Sequence, residues 1–193
     1  MKKNGCVALF KRGFAAAALL CALPAPFFPA SAAAADFAEY KVKAEFLVKL
    51  ARFVDWPQSA FEGPQSPFVI AIAGADPFGE HLEEVARVRT VNGRPVKLVK
   101  ARPGAAAEPC HMLFIAGGGY PRLGDILELY GDKPVLTVGD GEKFARKGAQ
   151  IALYRRGGSL RFELNLAAAK RSGLAISSKL MHLAAAVYGG EAP

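Results

Sequence analysis

Cys110-His111-Met112-Leu113-Phe114-Ile115, then Gly117-Gly118-Gly119, then Pro121 to Leu129, then Pro134 to Val138: the order of these four pieces decides the fold. The first is a short apolar run with no polar alternation, the pattern of a strand covered on both faces. The glycines close it, the third piece has helical character, and the fourth is a second buried strand ending at Gly139-Asp140-Gly141. Strand, helix, strand in close succession predicts a parallel pair joined by a crossover.

The same alternation extends outward on both sides. Toward the N-terminus, Phe68 to Ala73 is another continuous apolar run, and Asp76-Pro77 offers an N-cap followed by proline at the first helical position. Phe78, Leu82 and Val85 give that helix a buried edge. Val91-Asn92-Gly93-Arg94 is a tight turn leading into a strand at Pro95 to Val99, and Ala101 to Pro109 reads as a surface loop. Earlier still, a long helix is predicted from about Phe37 to Val54. Val42, Phe46 and Leu50 lie on one side of it with Leu47, Phe53 and Val54 beside them, and Lys41, Glu45, Lys49 and Arg52 on the other. Trp56-Pro57 ends it, because the residue before proline disfavours helix.

Toward the C-terminus the character changes. Gln150 to Tyr154 and Ser159 to Leu164 are two strands joined by Arg155-Arg156-Gly157-Gly158 as a hairpin. Leu160, Phe162 and Leu164 alternate with Arg161 and Glu163, which predicts one polar face. Leu166 to Ser172 is a short helix stopped by Gly173, and Ser177 caps a last helix through Ala186 with Leu180, Leu183 and Ala184 inward. The expectation is one three-layer α/β domain over residues 36–193, with a largely parallel sheet, an antiparallel hairpin at one edge and helices on both faces. No internal repeat and no second domain are visible.

The first 35 residues stand apart. Lys2, Lys3, Lys11 and Arg12 precede an apolar run from Phe14 to Leu23, and Ala30-Ser31-Ala32 and Ala33-Ala34-Ala35 both fit an A-x-A cleavage site. The run is too short, and too interrupted by Pro24 and Pro26, to span roughly 30 Å of hydrocarbon. The prediction is a cleavable secretory signal over residues 1–35 rather than an uncleaved anchor. A lipoprotein is disfavoured because Leu20, before Cys21, is bulky. The whole chain has 25 Lys+Arg against 17 Asp+Glu, a net of +8. Without the leader the balance is 21 against 17, a net of +4. Mild basicity spread along the chain does not make a nucleic-acid footprint, so no nucleic-acid partner is expected.

Searches for chemistry return little. His81, His111 and His182 sit in different elements without metal spacing, so no metal is expected, and no cofactor either. There is no G-x-S-x-G elbow and no Walker lysine after a glycine cluster. Cys110, the cysteine left after the leader, reads most simply as a small buried hydrophobe; an intermolecular disulfide or a redox thiol are the sharper alternatives. His111 beside it points to the opposite strand face and is badly placed to activate it. Gly117, Gly118 and Gly119, between a strand and a helix, form a weak candidate anion site, with Asp140 on the same sheet edge as a repelling neighbour.

The tail carries the more specific signal: Gly158-Ser159-Leu160-Arg161-Phe162-Glu163-Leu164-Asn165-Leu166, Ala169-Lys170-Arg171-Ser172-Gly173-Leu174 and Ile176-Ser177-Ser178-Lys179-Leu180. Arg161 and Glu163 share a strand face, and Asn165 is placed to cap a helix. These residues read either as a satisfied ion pair and cap or as a polar patch for a partner.

With these segments in order, the chain resembles the YfiR family of periplasmic regulators. The resemblance runs from Lys43-Ala44-Glu45-Phe46-Leu47 and Phe53-Val54-Asp55-Trp56-Pro57, through Phe68-Val69-Ile70, Asp76-Pro77-Phe78-Gly79 and Asn92-Gly93-Arg94-Pro95-Val96. It continues through Cys110 to Ile115 and Val135-Leu136-Thr137-Val138-Gly139-Asp140 to the tail. It implies a non-enzymatic switch. Such a protein binds and represses the periplasmic region of a membrane sensor, a diguanylate cyclase of the YfiN type, and so controls cyclic-di-GMP and biofilm. An outer-membrane lipoprotein can draw it away, and it works as a homodimer. The matching candidate surface here is Arg161, Glu163, Asn165, Arg171, Ser172, Ser177, Ser178 and Lys179. The founding member's intrachain disulfides have no counterpart, since Cys110 stands alone after the leader. A histidine kinase could replace the cyclase as partner. The alternative function is a periplasmic small-ligand protein, for a nucleotide or amino acid, feeding a sensor kinase. An undetected hydrolase would need a perturbed acid or nucleophile in a cleft, and the sequence nominates none.

Overall fold

The long apolar helix of the sequence becomes α1, Ala30–Ala51, in a computed structural model that describes residues 30–101 and 109–190. Residues 1–29 of the expected leader and most of the expected loop between Ala101 and Pro109 lie outside the described residues. The helix stops three residues earlier than its pattern suggests. Val54–Asp55 leaves as strand β1 and pairs antiparallel with Ala175–Ile176 far down the chain. Its rotation also differs from expectation. Ala44, Leu47, Val48 and Ala51 are buried, whereas Val42 is 54% exposed and Lys43 is 2% exposed. The cause is a carboxylate on the sheet, described below.

Phe68–Ala73 (β2) is fully paired as predicted, with Arg94–Ala101 (β4) on one side and Met112–Ile115 (β5) on the other, all parallel. Between β2 and β4 lie α2, Glu80–Val88, and the short strand β3, Thr90–Val91, which turns back through Asn92-Gly93 onto β4. Asp76-Pro77 does not start α2. The Asp76 carboxylate accepts the Phe78 N–H at 2.9 Å in a local turn, and the helix begins at Glu80. Phe78 is buried, though outside the helix.

After β5, Gly117–Arg122 forms a 3-10 turn and α3 follows at Leu123–Tyr130. Leu136–Asp140 (β6) then extends the parallel sheet, and Ile151–Arg156 (β7) pairs parallel with it. Ser159–Asn165 (β8) returns antiparallel to β7 through Gly157-Gly158. Both glycines have positive φ, +57° and +78°, as a two-residue hairpin turn of matching twist requires. The tail then makes α4, Leu166–Arg171, β9, Ala175–Ile176, and α5, Ser178–Leu183.

The last helix ends three residues before the predicted Ala186, and Leu183 is 70% exposed rather than inward. Ala186–Tyr188 becomes β10 instead and pairs parallel with β8. The sheet order is β10-β8-β7-β6-β5-β2-β4-β3, so the hairpin lies one strand in from its edge. Alternate strand residues feed two cores. Ile70, Ile72, Phe114, Val138 and Leu153 meet α1, α2 and α5 on one side. Ala71, Leu113, Ile115 and Ala152 meet α3 and the 144–149 segment on the other. The expected three-layer α/β architecture is what the chain forms.

Candidate functional site

The tail residues divide according to what their side chains touch. On the α3 side of the sheet, Tyr154, Arg156, Arg161 and Glu163 share the face of the β7–β8 hairpin, and Tyr188 joins them from β10. Glu163 is not part of an open polar face: it is 7% exposed, and it accepts from the Tyr154 hydroxyl at 3.4 Å and the Tyr188 hydroxyl at 3.1 Å. Burial, followed by the neighbouring Glu163 carboxylate, raises the Tyr154 pKa and keeps the phenol a donor. Arg146 donates to the Tyr188 oxygen at 2.8 Å, and Arg156 grips Glu142 through two bonds at 3.1 and 2.9 Å. Arg161 is exposed opposite Tyr154.

Asn165 and Ser177 are caps. Asn165 Oδ1 accepts the Ala168 N–H at 2.9 Å while Nδ2 donates to the Ala145 carbonyl, and Ser177 Oγ accepts the Leu180 N–H at 3.4 Å. Ser172 is 3% exposed inside a polar knot, accepting from Gln150 Nε2 at 2.8 Å and donating to the Gly131 carbonyl at 2.6 Å. Gln150, itself buried, accepts the Thr137 N–H and hydroxyl and donates to the Val135 carbonyl. Arg171, Ser178 and Lys179 are exposed. The structure therefore leaves Arg161, Arg171, Ser178 and Lys179 open to a partner and puts Glu163, Asn165, Ser172 and Ser177 to work inside the fold.

The glycine edge lies at the carboxyl end of β5. A Cβ on Gly117 would sit 3.3 Å from the Asp140 carbonyl oxygen and 3.9 Å from its carboxylate. That carboxylate is held by Lys43 Nζ at 2.5 Å and by the Tyr40 hydroxyl at 2.8 Å. Lys43 also meets Glu39 at 2.5 Å, and Arg155 approaches Glu39 at 4.0 Å. A phosphate at Gly117 would face a carboxylate whose cation is already shared by two acids. This network pulls Lys43 inward and turns Val42 outward. A hollow of about 150 Å³ beside it is lined by Ala38, Val42, Arg155 and Leu160.

At the other end of β5, just before its first residue, His111 is clamped. Its Nδ1 accepts the Val69 N–H at 2.9 Å and its Nε2 lies 3.1 Å from the Ala60 carbonyl, which fixes the neutral ring with the proton on Nε2. Phe61 stacks on it at 4.4 Å and Phe68 at 5.2 Å, while Arg94 covers the far face of Phe61 at 3.9 Å. Cys110 is half-buried on the other strand face, beside a cavity of about 580 Å³ that Lys97, Tyr130 and Lys133 also line. Among the described residues no group of His, Cys, Asp and Glu is placed to hold a metal, and no helix is long and apolar enough to cross a membrane.

Burial, the largest effect, lowers the His111 pKa from 6.5. The Ala60 hydrogen bond opposes this, Arg94 adds to the lowering, and Glu62 opposes it. A histidine whose folded pKa is depressed is protonated first in the unfolded chain, so its contribution is intact above pH 6.5 and is lost as pH falls below it. The melting temperature of the wild type should therefore fall from pH 7.5 to pH 5.5 more steeply than that of H111F. Parallel profiles would show that another group sets the acid limb.

Sequence reasoning set aside three groups that this geometry brings forward: Lys43 with Asp140, Gln150, and His111. Only Gln150 had a local signal, a polar side chain at the head of a buried strand. The chain matches the YfiR/HmsC-like family over residues 40–185, from Tyr40 in α1 to Ala185 just before β10, and it belongs to that family. No curated protein matches it.

Proposed function

We propose that this protein is a periplasmic, non-enzymatic regulator that docks on the periplasmic region of a membrane diguanylate cyclase of the YfiN type and holds it inactive. Family membership over residues 40–185 carries this reading. A secretory leader over residues 1–35 supplies the route to the compartment. Arg161, Arg171, Ser178 and Lys179 are the exposed members of the candidate surface and the place to look for contact with the sensor. Homodimerisation and withdrawal by an outer-membrane lipoprotein belong to the same reading.

Deleting the gene should raise cyclic-di-GMP and biofilm, and the tagged protein should recover a membrane sensor from native membranes. Unchanged cyclic-di-GMP together with an empty capture would defeat the proposal; capture of a histidine kinase would redirect it. R171E/K179E should weaken that capture while folding free energy moves by no more than about 0.5 kcal/mol per site, as at other exposed positions. A large melting loss would instead make these residues part of the scaffold.

A further inference from the structure

The net charge of the domain is not spread along it. Residues 142–163 hold six bases, Lys143, Arg146, Lys147, Arg155, Arg156 and Arg161, against Glu142 and Glu163. That is a net of +4, and the rest of residues 36–193 carries fifteen bases and fifteen acids. The whole excess of the domain thus sits in one stretch of 22 residues, and all six bases in it are exposed.

The fold gathers five of them on one side. Arg156 and Arg161 project from the α3 side of the hairpin, and Lys143, Arg146 and Lys147 lie on the segment that packs over the same side through Phe144 and Ala145. Of the two acids in the stretch, one pairs with a base of this face and the other is covered. Glu163 is buried under two tyrosine hydroxyls, and Glu142 is taken by Arg156. Neither of the hollows described above is lined by these five bases. Phe37, Val42, Val88 and Leu183, the strongly exposed apolar side chains of α1, α2 and α5, lie across the sheet from them.

We propose that this face rests on an anionic phospholipid surface, with Lys143, Arg146, Lys147, Arg156 and Arg161 meeting headgroup phosphates. A folded partner is bound through buried apolar or aromatic anchors in pockets, whereas what these five side chains present is charge, on residues that are all exposed. A headgroup layer needs only bases presented together, and guanidinium groups suit phosphate oxygens well. Seated this way, the domain turns its apolar helical side away from the bilayer. The inference goes beyond the sensor-binding reading and stands without it.

Vesicle co-sedimentation tests it. Purified protein should bind phosphatidylcholine vesicles containing about one-third phosphatidylglycerol at low salt, bind pure phosphatidylcholine weakly, and lose about tenfold in affinity between 20 and 200 mM salt. K143E/K147E/R161E alters three side chains that make no ion pair or hydrogen bond among the described residues, so its melting temperature should hold while vesicle binding falls at least about tenfold. K41E/K49E/R52E makes the same charge change on α1 and should bind within about twofold of wild type. All three proteins are compared with the same N-terminus, so any contribution from that end cancels. Equal losses in the two variants would reduce the effect to net charge and overturn the proposal. Absence of binding to anionic vesicles would overturn it too, and loss of sensor capture alone in K143E/K147E/R161E would reassign the face to an acidic protein surface.

Discussion

Replacing Lys43 with alanine is expected to cost about 3–5 kcal/mol, the usual penalty for removing one partner of a buried ion pair, and to lower Tm by roughly 10 °C in a domain of this size. Lys43 is 2% exposed, and its ammonium sits 2.5 Å from both Asp140 and Glu39. Truncation leaves the Asp140 carboxylate, 7% exposed at the end of β6, with the Tyr40 hydroxyl as its one side-chain partner among the described residues. Glu39 is 20% exposed and can rehydrate, so most of the cost falls on Asp140. The double variant K43M/D140N should recover much of the loss, because it removes both buried charges and keeps an amide that can accept from Tyr40. Thermal unfolding of the three proteins decides it: K43A melting with wild type would mean that the pair is solvated in solution.

Gln150→Leu should cost about 3 kcal/mol in denaturant titration, since each buried polar group left unmade costs roughly 1–3 kcal/mol and such losses are not additive. The substitution strips the Thr137 N–H and hydroxyl of their acceptor and the Val135 carbonyl of a donor, all inside the layer between β6, β7 and α4. Ser172→Ala, in the same knot, should lose less, about 1–2 kcal/mol. If Ser172→Ala instead leaves stability untouched and abolishes sensor capture, Ser172 is a contact residue reached by opening of α4. Q150E keeps the acceptor but sets an unpaired carboxylate, 1% exposed, against the Val135 carbonyl, so it should cost at least as much as Q150L.

The central strands of the sheet were legible because Phe68 to Ala73, Met112 to Ile115 and Leu136 to Val138 are continuous apolar runs, the pattern of strands covered on both faces. Caps were legible for a similar reason: Asn165 and Ser177 each act on a group three residues away. What local pattern could not show was set at long range. The rotation of α1 follows from Asp140, 97 residues from Lys43, and no helical periodicity contains that distance. Strand β10 is three residues long and exists because β8 offers an open edge, so Ala186 read as the end of a helix. Glu163 looked like the outward half of an alternating strand because the tyrosine that helps cover it arrives on β10. The charge asymmetry was in the sequence throughout, but averaging over the chain hid what a 22-residue window reveals.

The pairing of Val54 with Ile176, and the bond from the Ser177 N–H to the Phe53 carbonyl at 2.9 Å, join the first third of the domain to its last two dozen residues. A polypeptide threaded through a narrow pore, N-terminus leading, cannot make these closures until nearly all of it has emerged. Premature folding behind such a pore would jam it. This topology delays completion through separation in sequence alone, which would keep the chain passable during the export that the proposed function requires.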